Sequence, residues 1–187
     1  MTKQALRKQY LQQRNGLTFP EREKFTDLIL IHFQRLTLPF LQSVHTYLAA
    51  PSRSEVDTSA IIRFLEFQHQ GLRIVVPKTG EPLEHFELTE DTELVLSSFG
   101  IPEPVSGKRV APVEIDLALV PLLAFDRRGY RVGYGKGHYD RFLPHCRPDV
   151  ITVGLSFFEA VDSIDDINEF DIPLKYCVTP NGVYDFT

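Results

Sequence analysis

The sequence predicts an α/β protein, an open, mostly parallel sheet with helices on both faces, in one domain over residues 1–187. Three observations carry this. Helix-forming stretches alternate with short apolar runs, the order from which doubly covered sheets are built. The runs Leu117–Val120 and Val150–Leu155 are apolar at nearly every position, as strands buried on both faces are. The first of these leads by a short connection, Pro121 to Arg128, into a glycine-rich segment with a helix expected after it. In open sheets that arrangement places ligands beyond the carboxyl ends of the strands.

The elements follow in order. Thr2 to Arg14 contains helix formers and neither Gly nor Pro, and Asn15-Gly16 ends it. Leu6, Tyr10 and Leu11 share a face, and Lys3, Arg7 and Arg14 line a neighbouring strip at spacings of four and seven. Thr18-x-x-Glu21, with Pro20 in the first turn, is a capping box opening a second helix. Phe25, Leu28, Ile29, His32 and Leu36 continue it, with His32 a packed helix residue and not a ligand. Ser43–Ala49 reads as a strand and Pro51–Ser54 as a turn. Ser54 then caps a helix carrying Ile61, Ile62 and Leu65 that stops at Gly71. Arg73–Val76 is a strand ended by Pro77, and Leu83–Leu88 is a weaker strand. Residues 97–112, with three prolines and two glycines, read as a loop. A helix is expected over Tyr139–Leu143, before Pro144, and a last short strand over Tyr176–Thr179.

Composition narrows the function classes. With 43% hydrophobic residues and 14 Phe, 187 residues suffice for one well-filled core. The formal net charge of −5 argues against a nucleic-acid partner, whose binders are usually basic. Cys146 and Cys177 form no Cys-x-x-Cys pair and lack nearby histidines at metal spacing, so zinc is not expected and both read as reduced thiols. The N-terminus shows no apolar signal region, and the longest apolar run, Leu117–Phe125, is short and broken by Pro121. A cytoplasmic protein without a membrane partner is expected, with a monomer as its assembly.

The segment Arg128-Gly-Tyr-Arg-Val-Gly-Tyr-Gly-Lys-Gly-His-Tyr-Asp-Arg141 carries the chemistry. Gly133, Gly135 and Gly137 let the backbone turn its N–H groups toward one point and let a ligand approach closely. Arg131, Lys136 and Arg141 add charge suited to an anion with several oxygens, phosphate above all. A turn-forming loop with a solvated basic rim is the plain alternative. The segment is not a Walker A loop, because Gly137 follows Lys136 where Ser or Thr is needed. Nor is it a dinucleotide fingerprint, whose third glycine falls on His138 or Asp140. Arg131 and Lys136 are candidates for neutralising charge during phosphoryl transfer. Asp140 suits a hard-oxygen Mg²⁺ ligand and, equally, a helix-start aspartate. Lys3, Arg7 and Arg14 form either a second cationic strip or a solvated helix face. Glu55 sits after a strand and turn, at a sheet's ligand edge or in a first helical turn. Asp171, in Phe-Asp-Ile-Pro-Leu, is a second metal candidate or a loop aspartate.

Several pieces in order resemble one family: Lys3-x-x-Leu6-Arg7, Glu55-Val-Asp-Thr58, Gly100-Ile-Pro-Glu-Pro104, Asp116-Leu-Ala-Leu-Val-Pro121, Ala124-Phe-Asp126 and the loop Arg131–Arg141. The chain is similar to the 5-formyltetrahydrofolate cyclo-ligases, also called 5,10-methenyltetrahydrofolate synthetases, over nearly its whole length. The resemblance implies a fold related to the sugar-phosphate isomerase and CoA-transferase group. It implies ATP- and Mg²⁺-dependent cyclisation of 5-formyltetrahydrofolate to 5,10-methenyltetrahydrofolate through an N5-iminium phosphate, with release of ADP and phosphate. By matching position it assigns ATP to Lys3, Arg7, Arg131, Gly133, Tyr134, Gly135, Lys136, Gly137, His138 and Tyr139. It assigns the folate to Leu48, Glu55 and Tyr139, and Mg²⁺ to Asp140 and Asp171. The chain departs from the family at Phe170, where His is common, and at Lys175, where a second Asp is common. Two alternatives share the fold. A sugar-phosphate isomerase-like enzyme would turn over without ATP, and a non-catalytic folate- or nucleotide-binding protein would leave ATP intact.

Overall fold

The computed structural model describes residues 1–50, 53–98 and 100–187. In chain order its elements are α1 (Lys3–Gly16), α2 (Phe19–Phe33), β1 (Ser43–His45), α3 (Ser59–Gln68), β2 (Arg73–Lys78), β3 (Glu84–Leu88), β4 (Leu94–Leu96), β5 (Pro102–Pro104), β6 (Leu117–Val120), β7 (Ala124–Phe125), β8 (Arg131–Val132), α4 (His138–Phe142), β9 (Ile151–Leu155), β10 (Tyr176–Thr179) and β11 (Gly182–Asp185). A seven-stranded sheet runs β11-β10-β9-β6-β1-β2-β3. Its inner pairs are parallel, and only β2–β3 and β10–β11, the pairs at the two edges, are antiparallel.

Alternation along β6 builds two cores. Leu117 and Leu119 pack with Val44, Ile74, Val153 and Val178 beneath Ile29 and Phe33 of α2 and Ile61 and Leu65 of α3. Ala118 and Val120 face the other side, where Phe142 of α4, Leu143, Val150 and Cys177 cover them. Helices therefore cover both faces, as expected, although the second face has only the short α4 and a 3₁₀ turn at Leu143–His145. Two aspartates fix the connections. Asp116 accepts from the N–H groups of Gln42 and Ser43 and from Arg147 at the amino end of β6. Asp126, fully buried, accepts from the N–H groups of Arg128, Tyr130 and Ile164 and pairs with the Arg128 guanidinium at 2.7 Å.

Several expectations need correction. β1 is three residues long and not seven, because the chain turns away after His45 and Thr46 into the loop that carries Glu55. Of the turn expected at Pro51–Ser54, Pro51 and Ser52 lie outside the described residues. Ser54 does not cap α3; it accepts from Arg22, and the Asp57 carboxylate bonds the Ser59 N–H where the helix begins. Pro77 does not end β2, since it pairs with His85 on an antiparallel edge that tolerates proline. The segment 97–112 contains β5, paired with β4, and Pro121–Arg128 contains β7, paired with β8. The edge strand β11 was not foreseen. No helix among the described residues is long and apolar enough to cross a membrane.

Candidate functional site

Residues following three neighbouring parallel strands meet at one edge of the sheet: Tyr47 and Leu48 after β1, Thr79 after β2, and Pro121 after β6. They enclose a cavity of about 300 Å³. Its remaining wall is the glycine loop together with α1. Leu6 and Tyr10 of α1 pack on Leu123, Ala124, Val132 and Ile164, which press the helix against the β7–β8 hairpin. The basic strip of α1 thereby faces the loop and not solvent. Every residue to which the family resemblance gives a role lines this cavity: Lys3, Arg7, Leu48, Glu55, Arg131, Gly133, Tyr134, Gly135, Lys136, Gly137, His138, Tyr139, Asp140 and Asp171; Arg14 and Arg141, the other basic candidates, do not.

The loop's glycines are not equivalent. Gly135 and Gly137 have φ of +93° and +64°, in the left-handed region that glycine adopts without strain. Gly137 directly precedes α4. Arg7 lies across the loop, its Nε donating to the Gly133 carbonyl at 2.9 Å and its Cζ 3.3 Å from where a Gly135 side chain would begin. Lys136 is exposed. His138 is held below the usual imidazole range by burial and then by the charges of Arg141 and Lys136.

Cations and carboxylates are paired across the floor. Lys3 Nζ donates to both oxygens of Asp171, at 2.6 and 2.5 Å, and Asp171 Oδ2 also accepts from the Asn168 N–H. Arg131 is buried, donating to Asp140 Oδ1 at 2.8 Å and to the Ile172 carbonyl. Asp140 Oδ1 further accepts from the Ile172 N–H. Burial pushes the Arg131 pKa down, while Asp140, Tyr139 and Asp171 oppose it. Arg131 thus ties the loop to the segment before β10. Lys175 stands apart from all this: its N–H bonds Thr152, at the amino end of β9, opposite the cavity. The family's second Asp would not reach the cavity from this position.

The opposite wall centres on Glu55. Its Oε1 accepts from the Tyr134 hydroxyl at 2.6 Å and its Oε2 from the Ala50 N–H at 3.0 Å. The Tyr134 hydroxyl accepts in turn from Arg14, and the Arg53 guanidinium stacks over the Tyr134 ring 4.5 Å from its centroid. The Tyr139 hydroxyl is buried in the cavity wall without a partner among the described residues, its phenol pushed up by burial and then by Glu55. Sequence reasoning did not single out Glu103, Thr79 and Arg53 as site residues. The Gly-Ile-Pro-Glu-Pro motif was the one available signal for Glu103, which is buried in the cavity wall and accepts from Thr79.

Fold and cavity describe an α/β protein with a cavity at the carboxyl edge of its sheet, between a basic glycine loop and a wall that carries Glu55 and Glu103. The 5-formyltetrahydrofolate cyclo-ligase family model matches residues 1–180. The 5-formyltetrahydrofolate cyclo-ligase of Haemophilus influenzae is 34% identical over 126 residues, covering 64% of this chain and 67% of that protein. That of Mycoplasma pneumoniae is 31% identical over 172 residues, covering 89% and 92%. The NMR structure of Aquifex aeolicus 5,10-methenyltetrahydrofolate synthetase superimposes with a TM-score of 0.79 at 29% identity, covering 100% of this chain and 93% of that one. The chain belongs to the 5-formyltetrahydrofolate cyclo-ligase family.

Proposed function

We propose that the cavity holds ATP and 5-formyltetrahydrofolate together and closes the folate to 5,10-methenyltetrahydrofolate, releasing ADP and phosphate. One observation carries this reading. A single cavity is walled on one side by Lys3, Arg7 and the 131–140 loop, which suit polyphosphate, and on the other by Leu48, Tyr139 and Glu55, which suit a pterin. Glu55 keeps lone pairs on both oxygens for the pterin's adjacent N–H donors, and Leu48 offers an apolar surface to its ring.

The formyl oxygen of an amide is a poor leaving group. In the proposed sequence it attacks the γ-phosphate of ATP, giving the N5-iminium phosphate and ADP; N10 then attacks the activated carbon, and phosphate departs with the proton that N10 gives up. No protein nucleophile is needed, so catalysis consists of positioning and charge stabilisation. Arg7, fixed by Nε on the loop, has its two terminal amino groups for phosphate oxygens, and Lys136 sits where charge shifts between β- and γ-phosphates. Arg131 contributes chiefly by holding Asp140. Exclusion of water by the enclosing loops protects the activated formyl group from hydrolysis.

The acidic groups fit Mg²⁺ in the usual nucleotide mode, one or two carboxylates with phosphate and water completing the shell. Asp140 Oδ2 takes no part in the bonds that occupy Oδ1. Asp171 can join only by releasing Lys3, which a phosphate would attract. Bound Mg²⁺ supplies positive charge to the phosphoryl oxygens. Among the described residues no group of three or more His, Cys, Asp or Glu side chains is placed to hold a metal ion.

The test is the near-ultraviolet absorbance of the methenyl product from 5-formyltetrahydrofolate, ATP and Mg²⁺. Product should appear with ADP in equal amount and should vanish with EDTA. Product formed without ATP, or ligand binding with no product from folded protein, overturns the proposal.

A further inference from the structure

We propose that Arg14 is a positioning residue for the folate wall, acting through the Tyr134 hydroxyl to hold Glu55 in place; this rests on the reading of Glu55 as the pterin acceptor. Arg14 lies in the last turn of α1 and is only 4% exposed. A basic residue in a last helical turn usually reaches solvent and interacts with the helix dipole. Arg14 instead points inward, donating to Tyr134 Oη and, more weakly, to the Leu122 carbonyl at 3.4 Å, while its Nε has no partner among the described residues. A buried guanidinium left partly unsatisfied is costly unless its charge is answered nearby. The Glu55 carboxylate answers it from the far side of one hydroxyl, and the two side chains share the wall of a small internal cavity.

The direction of the chain of bonds is fixed by chemistry. A guanidinium only donates, so the Tyr134 oxygen must accept from Arg14. Its single proton is then committed to Glu55 Oε1, 2.6 Å away. Burial and then the Glu55 charge push the Tyr134 phenol up, with Arg14 acting against them, so the hydroxyl stays protonated and remains a donor. With the Ala50 N–H on Oε2, both carboxylate oxygens are held and the plane of the group is set. Without Arg14 the hydroxyl can still donate to Glu55, but its oxygen loses the donor that fixes it from behind, so the hold on Oε1 loosens.

Arg14→Met keeps the stem and removes the fork, and Tyr134→Phe removes only the relaying hydroxyl. Each should raise KM for 5-formyltetrahydrofolate about tenfold or more, the loss expected for a misplaced charged acceptor. In Arg14→Met, KM for ATP should stay within about twofold. The double variant should be no worse than the more affected single one, since both break the same chain. Additive effects, equal rises in both KM values, or an unchanged folate KM in Arg14→Met overturn the proposal. Should Arg14→Met fail to fold, Tyr134→Phe decides alone: an unchanged folate KM refutes the relay. Glu55→Gln separates the two levels. If it leaves the folate KM unchanged, the reading of Glu55 has failed; if it raises KM while the Arg14 and Tyr134 variants do not, only the relay has failed.

Discussion

Gly135→Ala tests the proposed phosphate role of the loop most directly, because the structure predicts two separable effects. The residue has φ +93°, where an added Cβ is strained by about 1–2 kcal/mol. For a domain of this size each kcal/mol lowers Tm by about 2–4 °C, so a loss of about 2–8 °C is expected. The new methyl would also sit 3.3 Å from Arg7 Cζ and 3.4 Å from one of its terminal nitrogens. That displaces a guanidinium whose position depends on one bond to the Gly133 carbonyl. A charge-assisted bond contributes about 1.5–3 kcal/mol, which converts to a rise in the KM for ATP of about ten- to a hundredfold. Gly133→Ala is the matched control: a Cβ there meets nothing within 4 Å, and its stability should change by no more than about 0.5 kcal/mol. It lines the same cavity, so a phosphate at the loop would still raise KM for ATP, at unchanged Tm. Initial rates of methenyl absorbance with ATP and folate varied separately, alongside thermal unfolding, give both readouts. If both variants keep the wild-type KM for ATP, the loop is not the phosphate site.

Three further outcomes follow from the same contacts. Arg131→Met should destabilise the fold by about 2–4 kcal/mol, because it strands Asp140 and the Ile172 carbonyl; Lys136→Ala, exposed at the loop, should lose turnover with Tm unchanged, and urea titrations beside initial rates separate the two. The buried pair His45 and His85, 3.2 Å apart, should make stability fall as pH drops from about 6.5 toward 4. Burial pushes the His85 pKa down to about 4 and, with His85 beside it, holds His45 well down, so over that window the unfolded chain binds protons that the folded one refuses. The slope should approach about 1.4 kcal/mol per pH unit per histidine and should flatten in His85→Asn; an identical slope by urea unfolding at pH 5, 6 and 7 would contradict a neutral pair. Gly154→Ala should cost about 1–3 kcal/mol, since its Cβ would fall 2.5 Å from Leu122 Cδ2 and 2.6 Å from Leu174 Cδ1; a Tm equal to wild type would show that these side chains yield freely.

Legibility in the sequence followed the range over which each signal acts. Glycine spacing and charge in residues 131–141 are local, so the loop could be recognised before any fold was known. The apolar runs Leu117–Val120 and Ile151–Leu155 were legible because burial on both faces leaves almost no polar position, Thr152 being the exception. β4, β5, β7 and β8 were not, because two or three residues carry no period. β4 is exposed throughout and β5 begins and ends on proline, so pairing partners alone define them. The strip Lys3, Arg7, Arg14 was visible as a periodicity, but period cannot say what a face meets. Only the docking of α1 on the β7–β8 hairpin makes Lys3 a partner of Asp171 and buries Arg14. The departure at Lys175 was equally undecidable until the strand register placed that residue at the opposite end of β9.

On the proposed reading, the absence of a required nucleophile explains why so much of the polar structure serves orientation. An amide oxygen attacks phosphorus at a useful rate only if both are held near attack distance, and effective molarities of about 10⁵–10⁸ M can come from that alone. Two rigid sites at an arbitrary separation would not provide it; their walls must be registered to each other. Tyr134 does this. It belongs to the loop assigned to ATP, between Gly133 and Gly135, yet its hydroxyl bonds the carboxylate assigned to folate. Any movement of the loop is therefore felt at Glu55. Arg7 and Arg14, on one helix seven residues apart, grip the loop at Gly133 and at Tyr134. A helix rises about 1.5 Å per residue, so these two side chains are rooted about 10 Å apart on a stiff rod. On this reading the helix braces the loop at both points, and the separation of phosphate and pterin is held by helix and loop together, as a reaction depending on registration requires.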